Sequence, residues 1–173
     1  MYACRERHYF VVKKLLDIQH IMALNRPKVD LNVQDVHQKT ALMHVAEADT
    51  LDIDFIRVLL EHPQRLNIQD NKGRTALAKL CLVITLLFVS SWKSSLFERR
   101  KDKVAIQAIR LMLDSRMKND IDINLEDEEG MTPLMHACRV GNGPIARLLT
   151  EFYKIHNVSS ITFKDFIHAS QYQ

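Results

Sequence analysis

Eight histidines and three cysteines are the most reactive side chains in this 173-residue sequence. His136 and Cys138 stand two apart, and His44 occupies the matching place in a similar stretch, Leu42-Met43-His44-Val45-Ala46 against Leu134-Met135-His136-Ala137-Cys138. A structural zinc site takes four such ligands, with spacings of the Cys-x-x-Cys type, and a zinc protease carries His-Glu-x-x-His. Neither spacing occurs, and His136 and Cys138 lack a second ligand pair. Glu126, Asp127, Glu128 and Glu129 are consecutive, but acid–base work needs an apolar pocket that raises one carboxyl, and this run reads as a polar turn. No phosphate-cradling Gly loop and no Gly-x-Ser-x-Gly elbow is present. The expectation is therefore a non-enzyme with no metal and no cofactor. Cys4, Cys81 and Cys138 are odd in number and far apart, which predicts unbridged, buried thiols in a reducing compartment. The expected location is cytoplasmic, with the nucleus or a host cytosol as alternatives.

Three segments around threonine position these residues. They are Leu31 to Leu42, Leu66 to Leu77 and Ile123 to Leu134. In each, Asn precedes Thr by eight positions and Asp precedes it by five. Gly precedes Thr by two in the second and third, and Gln38 takes that place in the first. Each Thr is followed by a short apolar stretch and, further on, by a helical apolar run: Phe55 to Leu60, Ile109 to Leu113, and Ala146 to Leu149. The amino terminus holds the same run as Val11 to Leu16, preceded by Ala3-Cys4-Arg5, which mirrors Ala137-Cys138-Arg139.

Thr40, Thr75 and Thr132 suit helix N-caps, and Pro133 suits a first helical turn. Gly73 and Gly130 permit positive φ, and Asp35, Asp70 and Asp127 can tie the turn to its own backbone. Ala46 and Ala137 let two antiparallel helices approach closely. No such unit hides its apolar face alone, so neighbours must stack.

This pattern resembles the ankyrin repeat over roughly Met1 to Tyr153. The resemblance implies an all-α solenoid of helix-turn-helix units joined by short β-hairpin loops. The expected divisions are a leading partial repeat with a long loop over 1–34, repeats over 35–69, 70–126 and 127–157, and a carboxy-terminal cap over 158–173. Met43 and Met135 stand where the family motif has its His, and Ala41 and Ala76 replace its Pro.

Thr40 to Thr75 is 35 residues and Thr75 to Thr132 is 57, so the middle repeat carries an insertion, placed between its helices at about 82–103. Leu80 to Val89 is uncharged and the most apolar run, but it is shorter than the roughly 20 residues of a membrane span. Two readings stand. Both helices lengthen and pack their extra turns together, with Ala105, Ile106, Ile109, Leu111, Met112 and Leu113 as one face. Alternatively, a tip at Phe88, Trp92, Leu96 and Phe97 forms a second interface, for a partner or for self-association. The flank Glu98 to Lys103 reads as a solvated turn, or as a patch for nuclear import or an anionic surface.

With 24 basic and 21 acidic residues the net charge is +3, too balanced for a nucleic-acid partner. The resemblance instead implies a protein partner, met by hairpin tips and inner helices. By position these are Val36, His37, Lys39 and His44; Asn71, Lys72, Arg74 and Lys79; and Glu128, Glu129, Met131 and His136. The middle tip is basic and the last acidic, so a partner of opposite polarity is expected. The function expected is an adaptor, inhibitor or targeting scaffold. The alternatives are a targeting fragment of a longer multi-domain protein such as a pathogen effector, and membrane-peripheral binding through the apolar insertion.

Overall fold

The computed structural model describes residues 1–21, 29–48, 51–82, 95–114 and 121–155, with the backbone alone for 18–21, 95–102 and 155. Phe88, Trp92 and the expected cap at 158–173 lie outside these residues, as do the side chains of Leu96 and Phe97.

Helices come in pairs. They are α1 (Tyr2–Arg5) with α2 (Tyr9–Ile21), α3 (Ala41–Ala46) with α4 (Ile53–Leu60), α5 (helical over 76–82) with α6 (Ser95–Leu113), and α7 (Pro133–Arg139) with α8 (Gly143–Ile155). Within pairs, α1 packs on α2, α3 on α4 and α7 on α8. Between pairs, α1 meets α3, α4 meets α6 and α6 meets α8. This is a serial stack, and no strand occurs among the described residues. The expected hairpins are present as hydrogen-bonded turns.

Local sequence accounts for the helix starts. Each threonine hydroxyl accepts the backbone N–H three residues on: Met43 to Thr40, Ala78 to Thr75, and Met135 to Thr132. These satisfy donors that a helix start leaves without a partner. Asp52 caps α4 and Asn142 caps α8 in the same way. Pro133 opens α7, where its missing N–H costs nothing.

The core runs through all four pairs. Ala46 and Ala137 are fully buried, as the close approach of paired helices demands. Ile56, Leu59, Leu80, Ile109, Met112, Ile145 and Leu149 fill the spaces between pairs. Each such side chain contributes about 1.5–3 kcal/mol. Cys4 and Cys81 are buried thiols, whereas Cys138, also expected inside, is only half-buried.

The middle pair departs from the others. Helix α6 has 19 residues against 8 in α4 and 13 in α8. It begins at Ser95, inside the segment assigned to the insertion, so Glu98 to Lys103 is helix and not a turn. Of the face expected to pack, Ala105, Ile109, Met112 and Leu113 are buried, joined by Ala108. Leu111 is half-exposed because it points away from that face.

Candidate functional site

The hairpins before α3, α5 and α7 form one continuous edge. Each is closed by the same bonds. The aspartate N–H donates to the carbonyl four residues on, Asp35 to Lys39, Asp70 to Arg74 and Asp127 to Met131. The residue three after each aspartate donates back to the aspartate carbonyl. That residue has φ +57° as Gln38, and +70° as Gly73 and Gly130. Glycine adopts this conformation freely, whereas glutamine is strained there.

The aspartate carboxylates hold the turns rigid. Asp35 Oδ1 accepts the N–H of His37 (2.8 Å) and of Lys39 (2.9 Å). Asp70 Oδ1 accepts those of Lys72 and Arg74, both at 2.9 Å. Asp127 Oδ1 accepts those of Glu129 and Met131, also at 2.9 Å. The second oxygen reaches forward nine residues onto the following helix. Asp35 meets His44 Nε2 at 2.8 Å, Asp70 meets Lys79 Nζ at 2.6 Å, and Asp127 meets His136 Nε2 at 2.8 Å.

The surroundings tune these groups. Burial alone would raise the Asp35 carboxyl, but bonds from Lys39 N–H, the His44 ring and His37 N–H outweigh it and hold it at about 2. Burial likewise acts against the charge on Asp70, and the Lys79 ammonium with the Arg74 and Lys72 amides outweighs it, so this carboxyl too is lowered. Glu47 is lowered against burial by its 2.6 Å bond with Lys39 and by the nearby Lys79 charge. Burial pushes His136 down, against the pull of Asp127 and with that of Arg139. Arg139 NH2 lies 3.2 Å from His136 Nδ1. An arginine can only donate, so Nδ1 accepts and the Nε2–H of a neutral ring donates to Asp127. Burial drives the Cys81 thiol up to about 12, which removes it as a nucleophile.

Neighbouring hairpins are joined by a ladder. Asn71 N–H donates to the His37 carbonyl (3.2 Å), and Glu128 N–H to that of Lys72 (3.1 Å). Gln34 Nε2 donates to the Gln69 carbonyl (3.0 Å), and Gln69 Nε2 to that of Glu126 (2.9 Å). Asn32 Oδ1 accepts from Arg65 N–H (2.6 Å), and Asn67 Oδ1 from Asp122 N–H (2.8 Å). Tyr153, on α8, closes the far end by donating to Asn124 Oδ1 at 2.6 Å.

The twelve candidate residues divide by placement. Val36, His37, Asn71, Lys72, Glu128 and Glu129 are exposed side by side at the tips. Lys39 and Arg74 are half-exposed, tied to Glu47 and to Asp70 respectively. His44 is half-buried on Asp35. Lys79, Met131 and His136 do not reach the surface: the first and last turn inward to their aspartates, and Met131 is an apolar side chain packed inside. Among the described residues no three metal-capable side chains gather, and no described helix is long and apolar enough to cross a membrane.

Stacked helix pairs with an edge of aspartate-tied hairpins define a repeat protein of one kind, and sequence comparison agrees. The family model described as "Ankyrin repeats (3 copies)" matches residues 1–83, and that described as "Ankyrin repeat" matches residues 129–157. The chain belongs to the ankyrin-repeat family, whose members are generally protein-binding modules. It is similar to Inversin of Homo sapiens and of Canis lupus familiaris, 26% identical to each over 131 residues, or 76% of this chain. That match takes in about 10% of each relative's length, so the chain spans a small part of the curated relatives it matches.

Proposed function

We propose that this chain binds another protein along the hairpin edge, as an adaptor, inhibitor or targeting scaffold. The observation that carries this reading is a contrast along the edge. The backbone is held by a repeating ladder, while Val36, His37, Asn71, Lys72, Glu128 and Glu129 project outward from it. A rigid support with outward side chains loses little entropy on binding. The contact surface is narrower than the sequence pattern suggests, because Lys79, Met131 and His136 are inside. Polarity changes along it, from Lys72 to Glu128 and Glu129. A partner presents an acidic group to the middle tip and a basic one to the last, which sets register and speeds association.

The test is affinity capture from a lysate with quantitative mass spectrometry, comparing the wild type with Lys72→Glu and with Glu128→Lys/Glu129→Lys. All three side chains are exposed, so folding is retained. A captured protein is then purified and titrated. The expected result is at least about tenfold weaker binding by each variant, as charge mismatch at a contact costs more than 1 kcal/mol. Equal affinity for the wild type and both variants would overturn the reading.

A further inference from the structure

Five charged side chains meet where the first hairpin joins the second. Lys39 Nζ lies 2.6 Å from Glu47 Oε2, and Lys79 Nζ lies 3.5 Å from the same oxygen. Lys79 Nζ also lies 2.6 Å from Asp70 Oδ2, and Arg74 NH2 lies 3.5 Å from that atom. Both carboxyls are held below their ordinary values, so both are charged at neutral pH. Three cations thus face two anions, and one positive charge is left over.

Arg74 carries that surplus. Asp70 Oδ1 is filled by the Lys72 and Arg74 amides and Oδ2 by Lys79, so the guanidinium keeps only a long contact. Among the described residues, Arg74 Nε is the one buried side-chain nitrogen or oxygen without a hydrogen-bond partner. Such a donor destabilises the chain as it stands and gains a whole bond when an acceptor arrives. The side chain still reaches the surface, at 21% exposure, on the same hairpin as the exposed Lys72. Lys39 and Met131 hold the matching place in the neighbouring hairpins. The first is engaged by Glu47 at 2.6 Å and the second is apolar and buried, so the surplus belongs to this joint and not to every repeat.

We propose that Arg74 is the seat for an aspartate or glutamate side chain of the partner, which draws the guanidinium outward and takes Nε and NH2 as paired donors. This deepens the edge-binding reading and rests on it. A carboxylate is planar, accepts two parallel bonds from an arginine fork, and carries the single negative charge that the cluster lacks. A phosphate dianion brings a further charge against Glu47 and Asp70. Little is lost as Arg74 turns outward, since its Asp70 contact is 3.5 Å long and Lys79 stays on that carboxylate at 2.6 Å. Lys72 attracts the acidic group as a point charge, and Arg74 grips it. The group is a side chain and not a chain end, because the same partner continues along the edge to Glu128 and Glu129.

The test needs no identified partner. Three short probes are used: acetyl-Ala-Glu-Ala-amide, acetyl-Ala-Ala-Ala with a free carboxyl end, and acetyl-Ala-phosphoserine-Ala-amide. Each is titrated into the 173-residue chain at constant ionic strength and about pH 6.5, where phosphoserine carries most of its second charge. The Arg74 Nε–H resonance is followed by NMR beside that of Arg57, whose guanidinium already donates to Asp54 at 2.8 Å. The expected result is half-saturation of Arg74 by the glutamate peptide on the order of 10 mM, with a response at Arg57 at least about tenfold weaker. Arg74→Lys keeps the charge but loses the fork, and the peptide affinity read at the Lys72 and Gly73 amides falls at least about fivefold. Arg74→Gln gives a second variant, and folding is retained because the side chain makes only the long contact. The proposal is overturned by no saturation below about 100 mM, or by undiminished affinity in both variants. It is equally overturned if Arg57 responds as Arg74 does, or if the phosphoserine or chain-end probe saturates Arg74 at a lower concentration than the glutamate peptide. Failure of the edge reading shows instead in the capture variants at Lys72, Glu128 and Glu129, so the two are told apart.

Discussion

The first and second hairpins share a backbone design but differ in how they are held. Asp35 pairs with His44, and both are partly open to solvent, with side-chain exposures of 21% and 10%. Asp70 pairs with Lys79 at exposures of 0% and 1%, and the ammonium also lies 3.5 Å from Glu47 of the preceding unit. Gln38 closes the first turn under backbone strain, while Gly73 closes the second without it. Among the described residues, the second hairpin has a hydrogen-bonded neighbour on each side, and the first has one on its far side. A motif residue thus has no fixed worth. Its contribution depends on how many units enclose it.

The sharpest test of that contrast is removal of each aspartate. Asp70→Ala leaves a buried ammonium with the more distant Glu47 carboxylate at 3.5 Å and frees two turn amides, and is expected to cost about 3 kcal/mol. Asp35→Ala leaves a partly exposed histidine that can reach water, and is expected to cost about 1–2 kcal/mol. Urea unfolding followed by circular dichroism reads both, and equal losses would break the comparison.

Glycine substitutions come next. A Cβ on Gly73 would lie 2.9 Å from Glu128 N and 3.0 Å from Asp127 Cα, both backbone atoms of the next hairpin. On Gly130 its nearest contact would be the movable Glu126 Oε2 at 3.9 Å. Gly73→Ala is expected to cost about 3 kcal/mol, from φ strain plus a clash with fixed backbone. Gly130→Ala should cost about 1 kcal/mol, from strain alone. Thermal melts of the two variants rank them.

Acid separates the units further. The folded Asp35 carboxyl sits at about 2 against an ordinary 3.8, so the unfolded state takes up its proton first. Its stabilisation is complete above about pH 4 and fades as pH falls toward 2. Asp35→Asn should flatten that part of the stability curve. His136 is also lowered, so its contribution has the same sign but fades from a higher pH, below the ordinary histidine value of about 6.5. Acid therefore weakens the last unit before the first, and an NMR titration of the His136 ring should show a midpoint below that of a free histidine.

The smallest expected effect is a gain. Gln38→Gly relieves a positive φ of 57° and is expected to add about 0.5–1 kcal/mol, read as a higher urea midpoint.

Much of this design is legible in the chain because its rules are local. A threonine cap, an aspartate tying a turn and a glycine at positive φ each involve residues within five positions, so Thr40, Asp35 and Gly73 declare themselves. The nine-residue pairs were also present as a spacing, Asp35 to His44, Asp70 to Lys79 and Asp127 to His136. Histidine and lysine look like surface residues when taken singly, and only the fold shows them bent back onto carboxylates. The asparagine and glutamine ladder is less visible still. Its partners lie 33 to 57 residues apart, and the third unit puts Glu126 where Gln34 and Gln69 stand in the others. Met131 shows the remaining difficulty, since nothing local marks which side of a hairpin faces inward. Helix α6 starts at Ser95 amid charged residues, where composition alone suggested a turn.

The glutamine bonds carry a consequence for how this chain can change over time. Gln34 and Gln69 make the same contact, yet the first spans 35 residues of sequence and the second 57. Twenty-two extra residues, 57 less 35, have been absorbed without altering the contact between successive hairpins. Chain length and the layout of the edge are thereby uncoupled: material can be gained or lost between two rungs while the order of the outward side chains is preserved.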